Sequence, residues 1–129
     1  MTQLVAPLSL GELIDRLTIL EIKAKRIASP AKRAHVRREL AGLEAIAAPY
    51  LAKYSGLAVL KQQLAVVNAV LWVCEEASRQ RFRRAPQAPA KAAALLTRIA
   101  RNNDHRHRLK QRISRLAKGG LVEQKSYYS

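Results

Sequence analysis

Six polar residues of this chain fall where a helical pattern expects apolar side chains, and their chemistry defines the first candidate site. At about 100° per residue, Asn68 and Glu75 lie on one helical stripe with Leu57, Leu60, Leu64, Val67, Leu71 and Phe82. The others are Glu21 in an earlier helical stretch and Asn103, Arg106 and Lys110 in a later one. Burying a carboxylate or amide in a core costs free energy unless a partner forms a hydrogen bond or an ion pair with it. We therefore expect these acids, bases and amides to pair with one another or with a ligand.

The six residues are compatible with two kinds of structure. They can form a buried salt-bridge network that fixes the register of the helices without any catalysis. They can also form a site for an anionic group, in which Arg106 engages a phosphate or carboxylate bidentately. Trp72 neighbours Asn68 and Glu75 on the helix surface and would wall such a site. The predicted ligand-binding residues are then Glu21, Asn68, Trp72, Glu75, Asn103, Arg106 and Lys110.

A magnesium site is a weaker alternative, because several carboxylates lie near the same stretches. Its ligands would come from Glu12, Asp15, Glu75, Glu76 and Asp104, and the protein would then be a Mg²⁺-dependent nucleotide hydrolase. The neighbouring basic residues weigh against a metal cage, so we predict neither a metal nor another cofactor. No Ser-His-Asp or Cys-His set can be argued from the spacing. We favour a binding protein over an enzyme.

Four helical stretches must position these residues. The apolar periodicity predicts helices over about 9–28, 31–48, 57–84 and 90–117, followed by a short extended tail over 120–129. Ser9 and Glu12 have the spacing of a capping box, Pro30 suits a first turn, and Pro49 is expected to end the second helix. Short connections between long helices favour antiparallel neighbours. The prediction is one all-α domain over residues 1–129, an antiparallel bundle of about four helices.

The charge of the chain points to an anionic partner. Its 24 Lys and Arg residues against 9 Asp and Glu residues give a net charge of +15. Between Glu76 and Glu123 the only acid is Asp104. A field of this sign attracts phosphates, so a nucleic-acid-binding protein that uses the basic C-terminal half is a second alternative. Solvated basic helix faces are the plain explanation, and the chain has no zinc spacing, aromatic stacking platform or helix-turn-helix signature.

Composition also bounds the compartment and the assembly. The single cysteine, Cys74, cannot form an internal disulfide and lies in an apolar run, which favours an inert buried thiol. The N-terminal residues lack the pattern of a signal peptide, and no apolar run reaches the ~20 residues of a membrane span. We predict a cytoplasmic protein without a membrane span. Ile19 and Ile22 form a second apolar patch on the first helix. Such a patch suits contact with a neighbouring element or with a second subunit, so the sequence is also compatible with a homo-oligomer.

Four ordered blocks of the sequence resemble those of a bacterial family of uncharacterised small helical proteins. Residues 11–23 (GELIDRLTILEIK) resemble that family's GELIDKLTILEIK opening. Residues 68–76 resemble its N-x-x-LW-x-x-ED block, and residues 103–110 its TND-x-R-x-x-(I/L)-K block. Residues 121–127 (LVEQKSY) resemble its LVEEKSY ending. The chain departs from the family pattern at Asn102, where Thr is usual, and at Val73 and Cys74, where Asp and Ile are usual.

The resemblance implies an accessory role rather than a known reaction. Members of this family occur near glycosyltransferases and surface-polysaccharide genes, so a sugar nucleotide, a phosphorylated glycan or a glycosyltransferase-type partner is the implied binding partner. The resemblance also implies that the C-terminal tail folds back as a lid over the polar cluster. The lid residues would be Glu123, Lys125, Ser126 and Tyr127. The first predicted function is therefore non-catalytic recognition of an anionic small molecule or a partner protein through the inward polar cluster.

Overall fold

Over the residues that the structure describes, the protein is an all-α bundle of four helices, as the periodicity predicts. The computed structural model describes residues 4–83 and 89–118. Its helices are α1 (Leu10–Arg26), α2 (Pro30–Lys53), α3 (Leu57–Arg83) and α4 (Pro89–Leu116). The predicted extended tail over 120–129 lies outside the described residues.

Two serines start the first two helices. The Oγ atom of Ser9 accepts a hydrogen bond from the backbone N–H of Glu12 at 3.1 Å, which satisfies one of the donors that a helix start leaves unpaired. Ser29 caps α2 in the same way and is followed by Pro30 in the first turn. The capping prediction for Ser9 is confirmed. The carboxylate of Glu12 does not complete a capping box, because it pairs with Lys110 of α4 instead.

The predicted end of the second helix at about residue 48 is wrong, because α2 continues through Pro49 to Lys53. Proline lacks the N–H that the helix interior uses, which normally kinks or stops a helix. Here Pro49 is exposed, so water can hydrogen-bond the carbonyl that loses its partner. The helix ends at Lys53, and the backbone N–H of the following residue, Tyr54, still donates to the carbonyl of Tyr50.

The core lies where α1 meets α3 and α4. Helix α1 packs against all three other helices, whereas α2 packs mainly on α1 and touches α3 over a small area. The fully buried side chains of this core include Ile14, Leu17, Leu57, Leu64, Leu109 and Ile113. Because α1 has neighbours on so much of its circumference, polar residues well off its apolar stripe are buried too. This central position is what creates the candidate site.

The N-terminal end of α1 approaches α4 unusually closely at Gly11. Its backbone N–H donates to the Oγ atom of Ser114 at 3.0 Å. A Cβ atom at this position would overlap the backbone carbonyl of Lys110, so only glycine fits the approach. The contact brings Glu12 and Asp15 on α1 within reach of the basic side chains on α4.

Helix α3 is the most apolar element. Within its segment Leu57–Gln80, a window of 18 residues has a mean hydropathy of 1.6, so the segment is long and apolar enough to cross a membrane by length and composition alone. About 39% of that window is buried inside the bundle, and the exposed side of the helix carries Val59, Val66 and Val73. The core helix of a soluble bundle has the same composition, so the absence of a membrane span stays a prediction.

Candidate functional site

The centre of the polar cluster is Asp15, an acid on α1 that is 1% exposed. Its Oδ1 atom accepts a hydrogen bond from Nε of Arg106 on α4 at 2.9 Å, and its Oδ2 atom accepts one from the Nη2 atom of the same guanidinium. This is a bidentate ion pair between α1 and α4, the strongest geometry available to these groups. Sequence periodicity predicts the participation of Arg106 but gives Asp15 only a place in the weak metal set.

Asn68 on α3 and Thr18 on α1 complete the hydrogen bonding of this buried acid. The amide nitrogen of Asn68 donates both to Oδ1 of Asp15 and to Oγ1 of Thr18, each at 2.9 Å. Thr18 in turn donates its hydroxyl proton to the backbone carbonyl of Asp15 at 2.8 Å. No buried side-chain nitrogen or oxygen in the described part of the chain lacks a hydrogen-bond partner. The predicted inward position of Asn68 is confirmed, and Asp15 joins three helices through these bonds.

A second ion pair extends the cluster toward solvent. The Nζ atom of Lys110 lies 2.5 Å from Oε1 of Glu12 and 3.8 Å from Oδ2 of Asp15. The two cations Arg106 and Lys110 thus face the two carboxylates Glu12 and Asp15. The formal charge of the group is zero. We call these four residues, with Thr18 and Asn68, the Asp15 network.

The surroundings of Asp15 hold it in the charged form. Burial is the largest influence and on its own would raise the pKa of Asp15, because a low dielectric disfavours a carboxylate. The hydrogen bonds from Arg106 and Asn68, with the positive charges of Arg106 and Lys110, outweigh burial and lower the pKa of Asp15 below its ordinary value. The hydrogen bond to Asp15 likewise raises the pKa of Arg106. Both partners therefore stay ionised near neutral pH.

Three of the residues predicted to face inward lie elsewhere. Glu21 is half-buried and pairs with Lys61 of α3 at 2.9 Å, outside the Asp15 network. Glu75 and Asn103 are exposed. The acid that binds Arg106 is Asp15, rather than one of the two acids, Glu21 and Glu75, in the predicted ligand-binding set.

The register of α1 against α3 explains the position of Glu75. Asp15 lies beside Asn68 and Glu21 beside Lys61, so the two helices are antiparallel. Continuing that register places Glu75 opposite residue 8, which precedes the first residue of α1. No turn of α1 is present there to cover the carboxylate. By its angular position, Glu75 is on the core-facing side of α3. It is exposed because α3 extends beyond the first residue of α1 at this level.

Trp72 lies within the described residues, whereas the predicted lid does not. Trp72 is half-buried and donates its indole N–H to Oε1 of Glu76 at 2.8 Å, which is a contact within α3. It therefore orients Glu76 and makes no hydrogen bond to the Asp15 network. The proposed lid residues, namely Glu123, Lys125, Ser126 and Tyr127, lie outside the described residues.

The carboxylates of the magnesium alternative are already engaged or exposed. Glu12 and Asp15 bind cations of α4, Glu76 accepts from Trp72, and Asp104 is exposed. Within residues 4–83 and 89–118, no three His, Cys, Asp or Glu side chains are gathered as a metal site would require. A magnesium-dependent hydrolase has no assembled ligand set here on which to rest.

Sequence periodicity also misses a second feature, on the outer side of α4. Five arginines and one histidine lie at alternating spacings of three and four residues and are all exposed: Arg98, Arg101, His105, Arg108, Arg112 and Arg115. That alternation keeps them on one face of a helix. We call this face the α4 arginine stripe. The spacing of the basic residues in the sequence carries this signal, whereas the spacing of the apolar residues does not.

The α4 arginine stripe is not neutralised by neighbouring acids. Within the described part of the chain, none of its arginines lies within 4.0 Å of a carboxylate oxygen. From Arg98 to Arg115 the stripe extends over about 26 Å, at 1.5 Å per residue. The inner face of the same helix is apolar and buried, with Leu109 1% exposed and Ile113 0% exposed. The chain therefore presents five arginines and one histidine along one exposed face of α4, whose opposite side packs in the core.

Comparisons with protein-family models, with curated proteins and with solved structures found no match to this chain. The resemblance to the family with the GELIDKLTILEIK opening stays a prediction. The Asp15 network and the α4 arginine stripe are the two groups of residues in the described structure that bear on function.

Proposed function

We propose that this protein is a non-catalytic binding protein whose α4 arginine stripe holds the phosphate backbone of a nucleic acid. The single observation that supports this function is the row of exposed arginines from Arg98 to Arg115 without a carboxylate partner in the described part of the chain. Guanidinium groups match phosphate oxygens bidentately, which lysines do not. The stripe is long enough to follow about seven base pairs of a duplex.

The chemistry of the stripe favours backbone contacts over base recognition. Its members are arginines and one histidine, and no Phe, Tyr or Trp lies among them as a large platform on which an unpaired base could stack. Phosphate contacts carry no sequence information. We therefore propose binding that is independent of sequence and prefers a duplex to a single strand. A membrane surface is less suitable, because the apolar face of α4 is committed to the core and has nothing to insert.

The Asp15 network supports a structural role better than the anionic site predicted from sequence. An anion would have to compete for Arg106 and Lys110 with the carboxylates that already bind them. Recognition of a sugar nucleotide, a phosphorylated glycan or a glycosyltransferase-type partner through this network stays a prediction without an unpaired cation to support it. The network instead joins α1, α3 and α4 and so fixes α4 against the rest of the bundle.

The test measures how binding depends on salt. Fluorescence anisotropy of a labelled duplex should give an association constant that falls with salt at a log–log slope of about −4.5 if five arginines each neutralise one phosphate. The double variant Arg108→Gln/Arg112→Gln should reduce the steepness of that slope by about 1.8. The matched control is Lys32→Gln/Arg37→Gln, which removes the same charge from the exposed surface of α2.

The control separates a local site from net charge. If both double variants weaken binding equally, the stripe is not the binding surface and the +15 charge acts as a whole. A slope near zero in the unmodified protein would reject nucleic-acid binding altogether. Tighter binding to a single strand than to a duplex of the same length would reject the duplex preference.

A further inference from the structure

A groove between α1 and α2 is a separate feature that the proposed function does not use. It has a volume of about 560 Å³, within the range of small-molecule sites. It is lined by Arg16, Ile19, Leu20 and Lys23 on α1 and by Arg38, Glu39, Gly42, Leu43 and Ile46 on α2. Helix α2 therefore covers only part of the apolar patch that the sequence predicts around Ile19.

The floor of the groove is apolar and remains incompletely covered. Ile19 and Leu43 are half-buried, and Ile46 is 56% exposed although it is a large aliphatic side chain. Helix α2 buries few of its side chains, so the groove is a place where α1 and α2 leave apolar surface in contact with water. A ligand with an apolar part would remove that surface from water.

Gly42 keeps the groove open. A Cβ atom at this position would meet no other atom within 4 Å, so no close helix contact requires glycine here. Glycine within a helix lowers stability by about 1 kcal/mol relative to alanine. Packing therefore does not explain why glycine occupies this position. The absence of a side chain leaves space in the groove.

The rim of the groove is positively charged. Arg16, Lys23 and Arg38 line it, and none of them lies within 4.0 Å of a carboxylate oxygen in the described part of the chain. The one acid on the rim, Glu39, contacts His35 at 3.0 Å. The rim therefore carries a net positive charge around an apolar floor.

We infer that this groove binds an amphiphilic anion, a small molecule with an apolar chain and a carboxylate or phosphate head. The apolar chain of the ligand lies on Ile19, Leu43 and Ile46, in the space beside Gly42. The head lies between Arg16 and Arg38. This site is independent of the α4 arginine stripe and takes a different class of ligand.

The first experiment varies the head group at constant chain length. Isothermal titration calorimetry below the micellar concentration would compare decanoate and decyl phosphate with decyl maltoside and decyltrimethylammonium. Both anions should bind at least about tenfold more tightly than the neutral and cationic compounds. The ratio between decanoate and decyl phosphate distinguishes a fatty-acid-type ligand from a phospholipid-type ligand. Equal binding of all four compounds would overturn the charge argument.

The second experiment blocks the groove without disturbing the fold. Gly42→Leu should fill the space, weaken decanoate binding more than about tenfold and leave the thermal midpoint no lower, because leucine is the better helix former. The matched control is Ala45→Leu, which adds the same side chain at an exposed position of α2 outside the groove lining. Undiminished binding by Gly42→Leu would overturn the proposal.

The third experiment separates the rim from the overall charge. Arg16→Gln/Arg38→Gln should weaken decanoate binding about tenfold. Arg108→Gln/Arg112→Gln removes the same charge from the α4 arginine stripe and should leave decanoate binding unchanged. Equal losses in the two double variants would mean that the anion responds to net charge, and the groove would not be its site.

Discussion

Replacing Arg106 should destabilise the protein more than replacing any other charged residue of the described chain. Arg106→Met keeps the aliphatic stem but removes both hydrogen bonds to Asp15, which is 1% exposed and cannot turn to water. Breaking a buried pair by removing one partner costs about 3–5 kcal/mol, because the remaining charge is uncompensated. Lys110, 3.8 Å from Asp15, answers only part of that loss.

The double variant decides whether the loss comes from the pair. Asp15→Leu/Arg106→Met removes both charges, so no uncompensated carboxylate remains in the core. We expect it to be more stable than Arg106→Met alone, although one proton of the Asn68 amide loses its acceptor. Urea denaturation followed by far-ultraviolet circular dichroism at pH 7 would give the four free energies of the cycle.

Two results would refute this reasoning. A loss below about 1 kcal/mol for Arg106→Met would mean that Asp15 is hydrated in solution. A double variant as unstable as the sum of the two single variants would mean that the residues act independently.

The pH dependence of stability should reverse in the same variant. In the unmodified protein the pKa of Asp15 is lowered, so its stabilising contribution is complete above the unfolded value of about 3.9 and is lost as the pH falls through the folded value. Without Arg106, burial would dominate and raise the pKa of Asp15. The stability of Arg106→Met should then decrease as the pH rises through that raised pKa. Urea denaturation between pH 4 and pH 8 checks the sign, and parallel profiles for the two proteins would contradict the prediction.

Three further changes test other contacts by urea denaturation. Gly11→Ala should cost about 1–3 kcal/mol because its Cβ atom overlaps the carbonyl of Lys110, and an unchanged midpoint would mean that the helices can separate freely. Ser9→Ala should cost about 1 kcal/mol through the lost cap on Glu12, with no loss expected if the start of α1 is frayed. Glu75→Leu should change stability by less than about 0.5 kcal/mol because Glu75 is exposed, and a large loss would mean that its carboxylate has a stabilising partner in the fold.

The sequence predicts the helices well and the site only in part, for reasons that particular residues make clear. The apolar period of α3 identifies Asn68 as inward, and Asn68 is 5% exposed. The same period does not identify Asp15, because a single-stripe argument assumes one buried face and α1 packs against three helices. The apolar period also misplaces Glu75, because the angular position of a residue on α3 does not show where the neighbouring helix α1 begins. Depth along a bundle depends on helix ends and register, which periodicity does not encode.

Helix α4 shows how two identical side chains two residues apart acquire different roles. Arg106 and Arg108 are separated by about 200° around the helix, so one faces the Asp15 network and the other faces water. The cations of the network are matched by Glu12 and Asp15, so the net charge of +15 comes from the rest of the chain. Replacing Arg106 should therefore change stability, whereas replacing Arg108 should change binding to a polyanion without changing stability.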